Sequence, residues 1–153
     1  MQSLDLKVPP VPVGLLFAGA MYAVSRVAPG MTWQLPFRFT LALTLAILGA
    51  AIALAGVAAF RSQRTTVNPL TPNATSSVVS SGIYRVSRNP MYLGFLLALA
   101  GWAVFLSHAG SMMLLPAFVA YLTRYQIQPE ERALLAKFGP EFALYMARVR
   151  RWV

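Results

Sequence analysis

The chain has 153 residues, of which 58% are hydrophobic and only 11% charged, against roughly 25% charged in an ordinary soluble domain. With a mean hydropathy of +0.60 and long stretches free of charge, it has too little polar surface to cover itself in water, and lipid is the expected solvent for most of it. There is no cysteine and one histidine, which excludes disulfides, thiolate chemistry and a cysteine nucleophile, and no metal site is expected. The net charge of +9 sits between apolar runs and not on a polar face, so it fits membrane topology and no nucleic-acid partner is expected.

The first apolar segment runs from about 11 to 27, after Pro9, Pro10 and Pro12 and before Pro29 and Gly30. A signal peptide is the competing assignment. Lys7 makes only a weak basic region and no small-x-small cleavage site precedes a mature domain, so the segment is taken as a helix. Residues 39–60 form an uncharged run of 22, which as a helix reaches roughly 33 Å, enough to cross a bilayer. Ala42, Ala46, Gly49, Ala53 and Gly56 fall at three- and four-residue intervals, giving this helix a small face that admits a neighbouring backbone.

From 61 to 90 the composition turns to Ser, Thr, Asn, Pro and Arg with no helical period, which predicts a polar connecting loop. Asn73-Ala74-Thr75 in it matches a glycosylation sequon, as composition alone would produce. Apolar runs at 91–106 and 112–127 follow, joined by the short linker Ser107-His108-Ala109-Gly110-Ser111. Such a linker makes an antiparallel helical hairpin, returning the start of the third helix and the end of the fourth to one face of the membrane. Residues 129–149 predict two short amphipathic interfacial helices interrupted at Gly139-Pro140. The expectation is thus an all-α integral membrane protein, one unit over 1–153, with about four transmembrane helices, a C-terminal helical hairpin and cytoplasmic amphipathic helices. Eleven of the thirteen Lys and Arg then lie on the side of the polar loop and both termini, while Arg26 and Arg38 lie opposite. The positive-inside rule places both termini in the cytoplasm of a multi-pass protein, and a bacterial inner membrane is the expected residence.

Acidic residues number four, and two of them, Glu130 and Glu131, are adjacent. Helix capping accounts for that pair on residue physics, because negative charge in a first turn complements the helix dipole. The hairpin, however, brings them to the mouth of the third helix, where Tyr84, Arg85, Arg88, Asn89 and Tyr92 cluster. The result is a cytoplasmic pocket with guanidinium and amide donors for a carboxylate, Glu acceptors for hydroxyls or an amino group, and aromatic faces for a base or a cation. S-adenosylmethionine meets that description, as do other nucleotide-like ligands. His108 is expected to be solvated in the far turn, Trp33 and Trp102 to face lipid or the interface, and Trp152 to sit at headgroup level.

Four ordered blocks carry a family resemblance over roughly residues 60–150: Thr65-Thr66-Val67-Asn68-Pro69; Ser81-Gly82-Ile83-Tyr84-Arg85 with Ser87-Arg88-Asn89-Pro90-Met91-Tyr92-Leu93-Gly94; Glu130-Glu131-Arg132-Ala133-Leu134-Leu135; and Phe138-Gly139-Pro140-Glu141-Phe142 with Tyr145. In these the chain resembles the isoprenylcysteine carboxyl methyltransferase and phospholipid methyltransferase family of integral membrane enzymes. The resemblance implies S-adenosylmethionine as cofactor, held by Tyr84, Arg88, Asn89, Pro90, Tyr92, Gly94, Glu130 and Glu131, and a lipid-like or small amphiphilic acceptor (isoprenylcysteine carboxylate-like or phospholipid amine-like) entering from the bilayer. Asn89 stands where the family usually has His; an amide donates a hydrogen bond but does not accept a proton near neutral pH. Arg124 lies where the family places a basic residue before the Glu pair, which implies that it orients a carboxylate acceptor. An amine acceptor needs a base instead, with Glu130, Glu131 or a tyrosinate as candidates. The competing assignments are an NADPH-dependent sterol-reductase-like membrane enzyme and a noncatalytic membrane subunit that retains the scaffold.

Overall fold

Proline and glycine set where each helix starts and stops in the computed structural model, which describes residues 5–63 and 77–153. Helix α1 (Pro10–Val27) opens on proline, whose fixed φ and missing N–H suit a first turn. Helix α2 (Arg38–Ser62) follows a 3-10 turn at Pro29–Met31. A second 3-10 turn, Gly82–Arg85, leads to α3 (Pro90–Leu106), again opened by proline. Helix α4 (Ala109–Leu122) runs without a break through a π-helical turn, Thr123–Ile127, into α5 (Gln128–Phe138). Gly139 then adopts φ 52° and ψ −125°, which favours glycine, and α6 (Pro140–Arg148) turns away. Helices α1, α2 and α3 cover the apolar runs at 11–27, 39–60 and 91–106, whereas α4 opens at Ala109 and gives way to the π turn after Leu122. Most of the Thr65–Pro69 block's surroundings, the block itself and the Asn73 sequon lie outside the described residues.

The π turn has an identifiable cause. Pro129 has no N–H to donate to the Tyr125 carbonyl, so the ladder must slip there. The freed Tyr125 carbonyl instead accepts the backbone N–H of Leu6 at 3.0 Å, and the Gln126 amide Nε2 donates to the Val8 carbonyl. The segment before α1 is thereby tied to the α4–α5 junction.

Among the described residues no strand forms, and two helices are long and apolar enough to cross a membrane: α1, with 18 residues, and α2, with 25. Only 17% of each span is buried, and side chains such as Leu16 (71% exposed) and Leu54 (68% exposed) face outward. A soluble core helix would be mostly buried; apolar surface on this scale is stable in lipid. Helix α3 is apolar but shorter, at 17 residues.

The expected small face of α2 is the surface on which α3 packs. A Cβ built on Gly94 of α3 falls 2.5 Å from the Gly49 carbonyl oxygen and 2.8 Å from Ala53 Cβ, and one built on Gly101 falls 2.7 Å from the Ala42 oxygen. The two backbones therefore touch along several turns, as small-residue helix pairs do in membranes. On the other side of α3, Phe118 and Leu122 of α4 and Met21 of α1 make the buried core with Tyr92 and Leu99.

One expectation about a single residue is corrected, and two tryptophans are seen to have partners. His108 is fully buried: it caps α4 by accepting the Ser111 N–H on Nδ1, and its Nε2 pairs with the Ala28 carbonyl at 2.9 Å, because the α1–α2 connection folds over the turn. Trp102 donates its indole N–H to the Ala18 carbonyl of α1 at 3.0 Å and stacks on Phe105. Trp152 packs against the core and donates to the Thr123 hydroxyl at 3.2 Å.

Candidate functional site

The antiparallel turn between α3 and α4 brings the start of α3 beside α5, as the sequence predicts. Arg88, two residues before α3, reaches the Glu131 carboxylate at 2.7 Å. Its other terminal nitrogen donates to the carbonyls of Met146 and Val149, at 2.8 and 3.0 Å, closing off the end of α6. Glu131 is also gripped by Arg151 from the C-terminal tail, at 2.6 and 3.0 Å. Tyr92, one turn into α3, donates its hydroxyl to Glu130 at 3.1 Å. The Asn89 amide donates to the Arg151 carbonyl at 2.9 Å, and the Arg88 N–H to the Arg150 carbonyl at 3.0 Å. Asn89 is thus a tether for the tail, a task that suits an amide. Tyr145 of α6 donates to the Tyr84 carbonyl at 2.8 Å, closing the ring of elements.

These residues border a cavity of about 290 Å³, near the lower end of the roughly 300–1,000 Å³ typical of ligand pockets. Its polar wall is Tyr84, Arg88, Asn89, Tyr92, Glu130, Glu131 and Tyr145. Its apolar wall draws on every helix but α4: Val11 of α1, Phe60 of α2, Phe95 of α3, Leu134 of α5 and Phe142 of α6, with Ile127 from the π turn. Two buried polar atoms among the described residues that line this space have no hydrogen-bond partner, Arg88 Nε and Ser77 Oγ. Buried donors are nearly always satisfied in native proteins, so such atoms point to a ligand.

The adjacent carboxylates differ in state. Burial works to raise the Glu131 pKa, but hydrogen bonds from Arg151 and Arg88 and their charges outweigh it and hold Glu131 below the ordinary value of 4.5. Burial raises Glu130; the Tyr92 hydrogen bond lowers it and the Glu131 charge raises it, leaving it pushed up to about 7. Burial pushes Tyr145 up to about 12 despite the Arg88 charge, and burial, Glu130 and Tyr145 together raise Tyr84 well above the usual phenol range. Both phenols are therefore donors at neutral pH. Capping does not explain the Glu pair: Ile127 and Gln128 before it are helical, so α5 has no free N-terminus there.

Of the expected site residues, Tyr84, Arg88, Asn89, Tyr92, Glu130 and Glu131 are brought together. Pro90 is fully buried as the first residue of α3, and Gly94 is spent on contact with α2. Arg124 is not among the residues that line this cavity: it is 55% exposed, paired with Asp5 at 3.3 Å and lying over Tyr125. Arg124→Ala is accordingly expected to change thermal stability by less than about 1 kcal/mol and to leave ligand binding at the cavity intact, measured by calorimetry. Three contributors escape the sequence. Arg151 looks like one of several basic tail residues, and only the scarcity of acids hints that Glu131 needs a second cation. Phe60 and Val11 carry nothing to mark them among other apolar residues.

The family model for phospholipid methyltransferases matches residues 37–141. The chain belongs to the phospholipid methyltransferase family. That assignment makes it a membrane methyltransferase by kinship, and the matched stretch runs from the start of α2 to the first turn of α6, so Tyr145 and Arg151 complete the site from outside it. A methanethiol S-methyltransferase of Bradyrhizobium diazoefficiens is 40% identical over 67 residues, 44% of this chain and 25% of that protein. The match therefore spans a quarter of that relative's length. An uncharacterized protein of Haemophilus influenzae is 36% identical over 63 residues, 41% of this chain and the whole of that protein. No solved structure matches.

Proposed function

We propose that this protein transfers a methyl group from S-adenosylmethionine to a lipid-like or small amphiphilic acceptor at the cytoplasmic membrane interface. In this reading α3 and α4 with the π turn cross the bilayer together with α1 and α2, giving four spans, and α5 and α6 cap the cytoplasmic mouth. The observation that carries the cofactor assignment is that Arg88 Nε and the Ser77 hydroxyl, both unpaired, belong to residues lining the same cavity. A carboxylate is the group that two such donors fit, and the Tyr84 and Tyr145 rings provide faces for a purine or a sulfonium. Arg88, Ser77, Asn89, Tyr84 and Tyr145 would hold the cofactor, which brings a methyl group already bound to a positive leaving group. The chain's share of the chemistry is then orientation and exclusion of water, which the apolar wall serves. A nicotinamide dinucleotide has a diphosphate and a second ribose to place, and the cation lining the cavity, Arg88, has one N–H left unpaired.

Purified protein titrated calorimetrically with S-adenosylmethionine is expected to bind it, and NADPH titrated separately is expected to give no heat. Arg88→Lys keeps the charge facing Glu131 but has no Nε–H in the fork. It should weaken S-adenosylmethionine about tenfold or more, the loss of one charge-assisted hydrogen bond, while Trp102→Ala stays near wild type. Heat with NADPH alone would overturn the assignment.

A further inference from the structure

We propose that residues 5–11 form a strap that gates the cavity: latched onto the α4–α5 junction it encloses S-adenosylmethionine, and unlatched it lets the cofactor enter and leave. This rests on the methyltransferase reading above and adds a moving part to it. The strap lies outside residues 37–141, the stretch matched to the family. Its last three residues, Pro9, Pro10 and Val11, line the cavity, while Asp5, Leu6 and Val8 supply the latch. The Leu6 N–H donates to the Tyr125 carbonyl at 3.0 Å, and the Gln126 amide donates to the Val8 carbonyl. Asp5 pairs with Arg132 at 2.9 Å and with Arg124 at 3.3 Å. The residues that follow Val8 and Gln126, Pro9 on the strap and Ile127 on the π turn, both line the cavity. The seam between strap and π turn therefore runs into the cavity wall, and parting the seam opens the wall there.

The closed seam carries two costs. Leu6 sits at φ 55°, in the left-handed region that a non-glycine residue adopts only at an energetic cost. Gln126 is 1% exposed and its Oε1 has no partner, and a buried acceptor left unpaired disfavours the state that buries it. Both costs are relieved when the strap lifts and water reaches the junction. The hinge is the first turn of α1, where the Val13 N–H reaches the Pro9 carbonyl at 3.4 Å, a long hydrogen bond. Beyond it α1 stays rooted in the core through Val13 and Met21.

Against these costs the ion pairs of Asp5 hold the latch, and they are open to solvent. The side chains of Arg124 and Arg132 are 55% and 59% exposed, so dissolved salt screens their attraction to Asp5. The Arg88–Glu131 pair is far less exposed and is screened much less. Ionic strength thus acts on the strap before it acts on the polar wall of the cavity.

Amide exchange and cofactor release, both measured on the full chain in lipid nanodiscs, test the gate. In wild type at low salt the Leu6 amide should be protected from deuterium exchange. Asp5→Asn removes the charge at constant size and should speed that exchange about three- to tenfold, the effect exposed ion pairs have on an equilibrium. Bound radiolabelled S-adenosylmethionine, chased with unlabelled cofactor, should leave the variant faster by a similar factor. Entry and exit both need the open strap, so their rates rise together and the calorimetric affinity should stay within about threefold of wild type. Raising NaCl from about 0.05 to about 0.5 M should reproduce both effects in wild type and do little in Asp5→Asn. Asp5→Glu, which keeps the charge, should remain near wild type. Unchanged amide exchange in Asp5→Asn overturns the proposal. So does a loosened amide with cofactor release unchanged, which would make the strap a structural tether. An affinity loss of about tenfold or more also overturns it, by making the strap a ligand contact. Failure of wild type to bind S-adenosylmethionine instead removes the reading beneath the proposal, and the task of the strap with it.

Discussion

Glu131→Ala should be among the most damaging single substitutions in this protein, lowering unfolding stability by about 3–5 kcal/mol, the usual result of removing one partner from a buried ion pair. The side chains of Arg88 and Glu131 are 11% and 14% exposed, so the substitution strands a guanidinium that water reaches poorly. Arg88 also secures the last carbonyls of α6, and its displacement frees α6 and the tail together. Arg151→Ala should cost far less, about 1 kcal/mol, because that side chain is 36% exposed and stays hydrated when its partner is lost. Thermal unfolding in one detergent and in one nanodisc composition measures both. Equal losses for the two variants would mean that the Arg88–Glu131 pair is not the anchor.

The same pair of carboxylates sets an opposing dependence on pH. Glu131 has its folded-state pKa below the unfolded value of 4.5, so its contribution is fully present above 4.5 and is lost as pH falls through the lowered value. Glu130 has its folded-state pKa raised to about 7, so the folded state holds a proton that the unfolded chain releases. Its contribution is present below 4.5 and is lost as pH rises through 7. Their joint effect is a maximum of stability between those limits. Glu131→Gln removes the acid limb of the curve and Glu130→Gln the alkaline limb.

What the sequence discloses and what it hides follow from the range of the interactions. Helix bounds are local: Pro10, Pro90 and Pro140 open helices and Gly139 ends one, so the runs at 11–27, 39–60 and 91–106 agree with α1, α2 and α3. The meeting of Arg88 and Tyr92 with the Glu pair follows from one short turn, which is equally local. The pairing of Arg124 with Asp5 is not legible because the partner lies 119 residues away in the chain. His108 fails because its partners Ala28 and Ser111 include a carbonyl 80 residues away, and a polar residue in a turn reads as solvated until that contact is known. Arg151 is hidden for the same reason, since nothing in Arg148, Arg150 and Arg151 says which one folds back.

Gly94→Ala is expected to be the second severe substitution, and it separates packing from ligand contact at a residue where the family blocks imply the latter. The new methyl carbon would lie 2.5 Å from the Gly49 carbonyl oxygen and 3.1 Å from the Ala53 nitrogen. Both are backbone atoms that cannot rotate aside, so α2 and α3 must separate along the whole of their shared small face. Overpacking of this kind costs typically about 1–3 kcal/mol, and here the strain is carried through Gly101 and Ala42, where a second close approach is lost. Gly19 of α1 provides the contrast: nothing lies within 4 Å of a Cβ there, so Gly19→Ala should be neutral or gain up to about 1 kcal/mol from helix propensity. Because the cavity is walled by Phe60 of α2 and Met91 of α3 as well as by Arg88, parting the two helices widens it from the apolar side and leaves the Arg88–Glu131 pair standing. Gly94→Ala should therefore lower the unfolding temperature while S-adenosylmethionine, titrated well below that temperature, binds within about threefold of wild type. Unchanged stability together with lost binding would return Gly94 to the cofactor site.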